Sequence, residues 1–158
     1  MDFGVVPDLT ISLRLVANSR SPFTDYRERQ RIDLIDFPDD QCGVYVMRFV
    51  DHVFPRLRGE SSILKVGESG ISFRRRFASY NGKNEATTFP GGLADLTNWC
   101  TAAKTEFQFM WLVPRLLELG PIVVDLYYTA DTKQLQGRFL LQCLDRYWDM
   151  PPLNRGLA

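Results

Sequence analysis

Two short runs of apolar, largely β-branched residues limit the chain to folds that contain a β-hairpin. They span residues 43–50 (GVYVMRFV) and residues 62–67 (SILKVG), and the segment between them contains Pro55. Runs of this length and composition are typical of buried strands. We therefore expect a central strand over residues 43–50 and the second strand of a hairpin over residues 62–67, joined by a loop over residues 52–60.

A helix is expected directly after this hairpin. The segment GISFRRRFASY, which follows Ser69, carries apolar residues at helical spacing as far as Tyr80. Asn81 and Gly82 come next, and both residue types are common at helix C-termini, so we expect the helix to end there. A further short helix is predicted over residues 93–104.

The C-terminal half predicts two more strands and the longest helix. The strands cover residues 106–113 (EFQFMWLV) and 122–128 (IVVDLYY). The helix covers residues 132–148, and Pro151 and Pro152 are expected to stop it. The order strand, strand, helix, strand, helix predicts an α/β layered domain of the α+β kind, in which helices flank a small antiparallel sheet.

The first 41 residues are predicted to decorate this core. Residues 9–16 alternate apolar and polar side chains as a strand does, and residues 23–32 predict a polar helix rich in arginine. Those arginines are either a solvated helix face or phosphate contacts. The expected core is residues 42–158, with an insertion at about 81–120.

The composition is that of an ordinary folded protein. The chain has 158 residues, of which 45% are hydrophobic, and its zero formal charge argues against a nonspecific polyelectrolyte binder but not against a local basic groove. No apolar run reaches the roughly 18 residues of a membrane span, and the N-terminus lacks a signal-peptide pattern. The 3 cysteines are odd in number and not closely spaced, which gives no disulfide framework or zinc site, so we expect free thiols and a cytoplasmic location.

Three short segments carry the side chains that point to a function. They are residues 43–45 (GVY), 65–67 (KVG) and 74–80 (RRRFASY). Alternate side chains of a hairpin share one face, so Tyr45 and Lys65 are expected to point the same way, and an arginine of the next helix can reach them. Such a set suits phosphodiester hydrolysis: the arginine binds the phosphate, the ammonium lowers the pKa of the phenol or orients water, and the phenol relays a proton.

In this order, the segments resemble those of the GIY-YIG nuclease family. GVY matches the first motif and KVG the second, with Lys65 where the second tyrosine usually stands, as in certain restriction endonucleases. RRRFASY resembles the arginine helix of the family, with Arg76 as the catalytic arginine and Tyr80 where a histidine is common. The C-terminal segment that ends at residues 152–154 (PLN) resembles the last motif, so the resemblance covers about residues 43–155.

The resemblance implies a fold like that of the family and one divalent ion, Mg²⁺ or Mn²⁺. The family holds this ion through a glutamate on the last long helix, yet no glutamate follows Gly120 here. Gln142 is our preferred match, because it lies off the apolar helix face and about three turns before Asn154. Gln136, on the apolar face, is the second choice. Because glutamine carries no charge, ion binding should be weakened.

The complete predicted site contains further polar residues. The expected catalytic set is Tyr45, Lys65, Arg76, Tyr80 and Gln142. DNA contacts are expected from Arg74, Arg75, Ser69, Asn154 and His52. Plainer interpretations remain open: the tyrosines are packed core aromatics, Lys65 belongs to an edge strand, and the arginines are a solvated face. We interpret Trp99, Trp111 and Trp148 as core or lid residues rather than base-stacking platforms.

The leading hypothesis is a metal-assisted DNA endonuclease, of the restriction type, that is inactive or weakened in this chain. A homodimer would suit its small size. The first alternative is a noncatalytic module on the same fold that binds nucleic acid or a protein. The second is a toxin-like effector nuclease held in check by an inhibitor protein. Under the leading hypothesis, Gln142→Glu should restore magnesium-dependent cleavage; a module would not cleave with either glutamate.

Overall fold

A computed structural model describes residues 2–17, 30–86 and 112–154, with residues 82–86 described by their backbone alone. The strands in chain order are β1 (Leu9–Ser12), β2 (Leu15–Ala17), β3 (Gln30–Ile32), β4 (Gly43–Phe49), β5 (Phe54–Pro55), β6 (Glu60–Ser61), β7 (Ile63–Ser69) and β8 (Ile122–Tyr128). The helices are α1 (Phe73–Ala86) and α2 (Thr132–Tyr147), and residues 112–117 are also helical.

A four-stranded antiparallel sheet in the order β1-β8-β4-β7 organises the fold. Strand β4 pairs with β7 on one side and with β8 on the other. Its central position explains its composition, since Arg48 is the one β4 residue that is not fully buried. The predicted mixture of helices with a small antiparallel sheet is confirmed, and so are the strands over β4, β7 and β8.

The sheet separates two hydrophobic cores. Successive side chains of a strand point to opposite faces. The α1 face of the sheet packs against α1 through a core that includes Tyr45, Met47, Phe49, Phe73, Phe77 and Tyr80. The α2 face packs against α2 through a core that includes Val44, Val46, Val66, Phe139, Leu140 and Cys143. The two faces therefore draw on the same strands but have separate side-chain environments.

A β-bulge near the start of β7 shifts its register with β4. Met47 pairs with Lys65, but the next residue, Arg48, pairs with Ile63, so Leu64 is the extra residue. Leu64 belongs to the core on the α1 face, whereas Ile63 belongs to the core on the α2 face. The bulge thus directs Leu64 to the same side as Lys65, which pure alternation would not do.

Helix α1 begins where predicted but ends later. Ser72 caps its start, because its Oγ accepts the N–H of Arg75 at 3.1 Å. The prediction that Asn81 and Gly82 end the helix is wrong, since α1 continues to Ala86. The side chain of Asn81 instead binds β3: its Oδ1 accepts the N–H of Ile32 at 2.8 Å, and its Nδ2 donates to the Ile32 carbonyl at 3.0 Å.

The N-terminal segment also differs from its prediction. Residues 9–16 were expected to form one strand, but they divide into β1 and β2, which belong to different sheets. The predicted helix over residues 23–32 is wrong at its end, because β3 pairs with β2 there, while residues 23–29 lie outside the described residues. The segment expected as a decoration thus contributes β1 to the central sheet.

Two later predictions also need correction. Residues 52–60 were expected to form a loop, but they include β5 and the first residue of β6, which pair as a short antiparallel ribbon. The strand expected over residues 106–113 is wrong at 112–113, which are helical, and its other residues lie outside the described residues, as does the predicted helix at 93–104. Apolar runs of this length do not distinguish a buried helix from a strand.

Helix α2 matches its prediction to within one residue. It ends at Tyr147, before the two prolines, because Trp148 adopts a left-handed conformation and its N–H bonds back to the Leu144 carbonyl at 2.9 Å. The ribbon formed by β5 and β6 covers this end: Arg58 donates its N–H to the Tyr147 carbonyl at 2.9 Å. None of the helices in the described residues is long and apolar enough to span a membrane.

Candidate active site

Tyr45 and Tyr80 form a buried hydroxyl pair on the α1 face. Their hydroxyl oxygens are 2.5 Å apart, and either can be the donor. Tyr45 lies opposite Gly67 in the strand register, and a Cβ atom at Gly67 would overlap its Cζ and hydroxyl oxygen. The absence of a side chain at Gly67 therefore makes room for the Tyr45 ring. Sequence reasoning missed this role, although a glycine inside a strand often marks a close approach.

The environment of Tyr45 keeps its phenol protonated. Burial raises the pKa of Tyr45, and this effect outweighs the charge of Arg76 and the hydrogen bonds from Tyr80 and Arg76, which lower it. The carboxylate of Glu68 raises the pKa further. The sequence-based expectation that Lys65 lowers this pKa therefore does not describe the dominant effect, which is loss of hydration.

Arg76 completes a cluster with the two tyrosines. Its Cζ atom lies 5.1 Å from the centroid of the Tyr80 ring, and it also hydrogen-bonds the Tyr45 side chain. Arg76 is half-buried, whereas both tyrosines are fully buried. Of the neighbouring arginines, Arg74 donates its Nε to the Phe37 carbonyl at 2.9 Å, and Arg75 is exposed. The three consecutive arginines thus have different surroundings, and Arg76 is the one that joins the cluster.

Lys65 lies on the same face of the sheet, at its edge. It pairs with Met47 and is 4% exposed. Its Nζ donates a hydrogen bond to the carbonyl of Leu153 at 3.0 Å. A lysine buried to this extent is rare unless its charge is stabilised by acceptors. Lys65 therefore links the α1 face to the C-terminal segment.

That C-terminal segment runs along the outer side of β7, the last strand of the sheet. Leu153 donates its N–H to the Leu64 carbonyl at 2.9 Å. The Asn154 side chain accepts the N–H of Val66 at 2.8 Å and donates to the Val66 carbonyl at 2.7 Å. Together with Lys65, these contacts satisfy an otherwise open strand edge. We call the group Lys65, Val66, Leu153 and Asn154 the β7 edge.

The two candidate glutamines occupy different positions on α2. Gln136 is buried, and its Nε2 donates to the Val66 carbonyl at 3.3 Å, so it shares that acceptor with Asn154. Gln142 is half-buried, and its Nε2 lies 3.5 Å from the Phe3 carbonyl. Six residues of helix separate them, which is about 9 Å along the axis. Gln136 thus reaches the β7 edge, whereas the contact described for Gln142 lies at the N-terminal segment.

Two predicted DNA-contact residues make structural contacts outside the side-chain cluster. Ser69 is buried, and its Oγ donates to the Ser72 carbonyl at 2.7 Å, so it supports the turn into α1. His52 follows the far end of β4, and its ring packs edge-on against Phe49 with 4.8 Å between the ring centroids. The structure therefore brings Tyr45, Arg76 and Tyr80 together, but it does not bring Ser69 or His52 to them.

The described donors do not suit a divalent cation. Within residues 2–17, 30–86 and 112–154, no three histidine, cysteine or acidic side chains gather where they could hold a metal ion. The side-chain nitrogens of Gln136 and Gln142 both face backbone carbonyls, which a carboxylate could not do favourably. The carboxylate of Glu68 raises the pKa of Tyr45, and a single carboxylate holds Mg²⁺ or Mn²⁺ only together with water or substrate oxygens.

Comparisons with known proteins leave the arrangement of these side chains as the basis for a functional assignment. No protein-family model, curated protein or solved structure matches this chain.

Proposed function

We propose that the chain is a DNA endonuclease of the GIY-YIG class in which cleavage is weakened. Its phosphodiester-binding site is the cluster of Tyr45, Tyr80 and Arg76, with Lys65 beside it on the same sheet face. The observation that supports this is the contact of a guanidinium with a hydroxyl pair, formed by residues from β4 and α1 that are far apart in sequence. A phosphate diester needs cationic and hydroxyl donors of this kind.

Each side chain has a distinct role in this proposal. Arg76 is half-buried and therefore the accessible member, so it pairs with the phosphate and stabilises the charge of the transition state. Lys65 adds a second positive charge at the sheet edge. Because burial raises the pKa of Tyr45, this residue stays a neutral hydroxyl, and together with Tyr80 it positions Arg76 from the buried side of the cluster.

Weak cleavage follows from the missing carboxylate. In the family that this chain resembles, a glutamate holds the metal ion, and both candidate positions here are glutamines. Motif spacing favours Gln142, whereas contact with the β7 edge favours Gln136. Either glutamine is a poor ligand for a hard cation, so no step of the reaction is assigned to a metal ion here.

A noncatalytic nucleic-acid-binding module is a second candidate, and one contact favours it. The Gln136 side chain donates to the Val66 carbonyl, which requires an amide nitrogen. A glutamine with a structural role is what a chain that binds without cleaving would contain. The module retains the roles of Arg76 and Lys65 in phosphate binding but has no hydrolytic step.

Binding and cleavage measured on the same variants test both candidates. Duplex binding is followed by fluorescence anisotropy for Arg76→Met and Lys65→Met, which keep bulk but remove charge. Arg138→Ala is the matched control, because Arg138 is exposed on α2. We expect each charge removal to weaken binding about tenfold or more, as loss of a charged hydrogen bond would, and the control to bind normally. Equal binding by all three folded variants would overturn the proposal.

Cleavage distinguishes the nuclease from the module. Supercoiled plasmid is incubated with Mg²⁺ or Mn²⁺ and with the native chain, Gln136→Glu or Gln142→Glu. The nuclease proposal expects one glutamate variant to nick the plasmid much faster than the native chain does. If both variants fold and bind DNA but neither cleaves it, the module is the correct function.

A further inference from the structure

Trp148, directly after α2, has an unusual backbone and an unusual exposure. It is 62% exposed, and its φ of 56° lies in the left-handed region that large residues rarely adopt. Such a conformation persists where surrounding contacts hold it, and it is often found at binding sites. Of the two interpretations from sequence, core or lid, the core one is wrong for Trp148, because the chain turns at the helix end and directs the indole outward. Trp99 and Trp111 lie outside the described residues.

Fixed contacts hold this indole in place. The backbone N–H of Trp148 donates to the Leu144 carbonyl at 2.9 Å. The guanidinium carbon of Arg58 lies 5.2 Å from the centroid of the Trp148 ring. Nearby, Arg56 forms an ion pair with Asp149 at 2.8 Å and also hydrogen-bonds the Met150 carbonyl. The backbone around Trp148 is thus held in place and Arg58 lies against its ring, while much of the ring surface remains open to solvent.

A polar groove lies between the end of α2 and the ribbon of β5 and β6. Its lining includes Arg58, Glu60, Gln142, Asp145 and Arg146. The two guanidinium groups balance the two carboxylates, so the groove has no strong net charge. Trp148 does not line the groove itself, but Arg58 lines the groove and also lies against the indole, so donors and acceptors adjoin an open aromatic ring.

We propose that this groove binds one unpaired nucleotide of a nucleic acid, with its base stacked on Trp148. This inference rests on the proposed function for the nature of the polymer. An indole stacks with any base, and Arg58 and Arg146 supply donors for the adjoining phosphate. The carboxylate of Asp145 accepts a hydrogen bond from an exocyclic amino group. Adenine or cytosine should therefore bind better than thymine, which has no such group.

The position of the groove makes it an accessory site. Gln136 reaches the β7 edge, and Trp148 lies twelve residues further along the chain, a rise of about 18 Å if the helical spacing is continued. A strand can cover that distance with a few nucleotides. The groove would then hold a frayed or single-stranded end while Lys65 at the β7 edge, with the cluster beside it, binds the phosphodiester.

Trp148→Gly tests the proposal without disrupting the fold. Glycine favours the left-handed conformation, so the variant should be at least as stable as the native chain in urea unfolding. Anisotropy is measured with a blunt duplex and with the same duplex carrying a five-nucleotide adenine or thymine overhang. We expect Trp148→Gly to lose about tenfold in affinity for the adenine overhang, as loss of one stacked base implies, and to bind the blunt duplex normally. Leu141→Ala, at another exposed apolar residue of α2, is the control.

The possible outcomes separate this proposal from the one on which it rests. Equal affinity of the native chain and Trp148→Gly for the adenine overhang overturns the groove proposal, as does an overhang that adds nothing to blunt-duplex binding. If the overhang effect depends on Trp148 while Arg76→Met and Lys65→Met bind normally, the groove is correct and the nuclease site is not. Tighter binding of the thymine overhang than of the adenine one would contradict the assigned role of Asp145.

Discussion

The α1 face and the α2 face of the sheet are built from alternate residues of the same strands, but their chemistry differs. The α1 face carries the hydroxyl pair of Tyr45 and Tyr80 with Arg76. The α2 face carries an ion pair in which Arg48 Nε lies 2.7 Å from a carboxylate oxygen of Asp125. The first arrangement has a half-buried cation next to hydroxyl groups, whereas the second neutralises its charges internally.

A function that uses residues from both faces requires a place where the two faces meet. The helix that carries the candidate glutamines packs on the α2 face, while the tyrosines lie on the α1 face. The two sides meet at the β7 edge, where Lys65 approaches from one face and Gln136 from the other. A nuclease that combined Arg76 with a residue of α2 would need its substrate to extend from the cluster on the α1 face to that edge. Substitutions on each face can show whether the two faces are as distinct as these contacts indicate.

The largest effect is expected for Gly67→Ala. A methyl group there would overlap the Tyr45 ring, which is fully buried and has little room to move. We expect a loss of about 3 kcal/mol or more in the free energy of unfolding, measured with urea. Gly70→Ala is the matched control, since no atom lies within 4 Å of its added Cβ. A loss below about 1 kcal/mol for Gly67→Ala would show that the α1 face is loosely packed.

The next largest loss of stability is expected for one of two asparagines. Each asparagine side chain binds both the backbone N–H and the carbonyl of one strand residue. Asn81 holds Ile32 inside the protein, and Asn154 holds Val66 at the β7 edge. Asn81→Ala leaves two buried backbone groups without these bonds, so we expect a loss of about 2–4 kcal/mol. Asn154→Ala should lose about half as much, because Asn154 is only half-buried and water can replace it.

Urea unfolding of both asparagine variants measures this difference. Asn81→Asp and Asn154→Asp serve as controls, because aspartate can still accept from the strand N–H but cannot donate to its carbonyl. Equal losses for the two alanine variants would mean that the β7 edge is as closed to water as the interior. A nuclease site at that edge would then be hard to reconcile with substrate access.

These contacts also explain which parts of the fold could be predicted from the sequence. Strands β4 and β8 and helix α2 were predictable because their apolar patterns report burial directly. The short strand β3 was not, since its pairing depends on β2, and the end of α1 was not, since Asn81 binds Ile32 across 49 positions in the chain. Long-range hydrogen bonds of this kind leave no periodic signal.

The candidate site follows the same division. Tyr45 and Lys65 share a face because of strand geometry, which alternation predicts and the observed register bears out. The partner of Gln136 could not be predicted, because it is a backbone carbonyl of another strand. The outward orientation of Trp148 depends on its own left-handed backbone conformation, which a tryptophan in the sequence does not predict.

A smaller effect is expected for Gln136→Glu. The new carboxylate would face the Val66 carbonyl, to which glutamine now donates, so two acceptors would oppose each other. We expect a loss of about 1–3 kcal/mol in urea unfolding without metal. Gln142→Glu should lose less than about 1 kcal/mol because its bond is long and half-exposed. Gln134→Glu, at an exposed position of α2, controls for added charge.

Urea unfolding of the same variants with Mg²⁺ tests whether position 136 can hold a metal ion. If position 136 accommodates a metal ion, Mg²⁺ should recover the stability of Gln136→Glu but leave Gln134→Glu unchanged, since only a bound ion stabilises the folded state. Recovery in Gln142→Glu alone would favour position 142, as motif spacing does. A fully stable Gln136→Glu without metal would show that the amide nitrogen contributes little to the β7 edge.

The smallest effect concerns alkaline pH and separates the two faces by their tyrosines. Burial, reinforced by Asp125, raises the pKa of Tyr127 on the α2 face to about 12. A folded-state pKa above the unfolded value of 10.0 gives stability that is complete below pH 10 and is lost as the pH rises toward 12. Because pH 10.5 is only slightly above the unfolded value, the loss there is below about 1 kcal/mol. Urea unfolding of Tyr127→Phe at pH 8 and pH 10.5 should therefore show a smaller fall in stability than the native chain. An equal fall would assign the alkaline loss to other groups, with Tyr45 on the α1 face the first to test, because burial raises its pKa in the same direction.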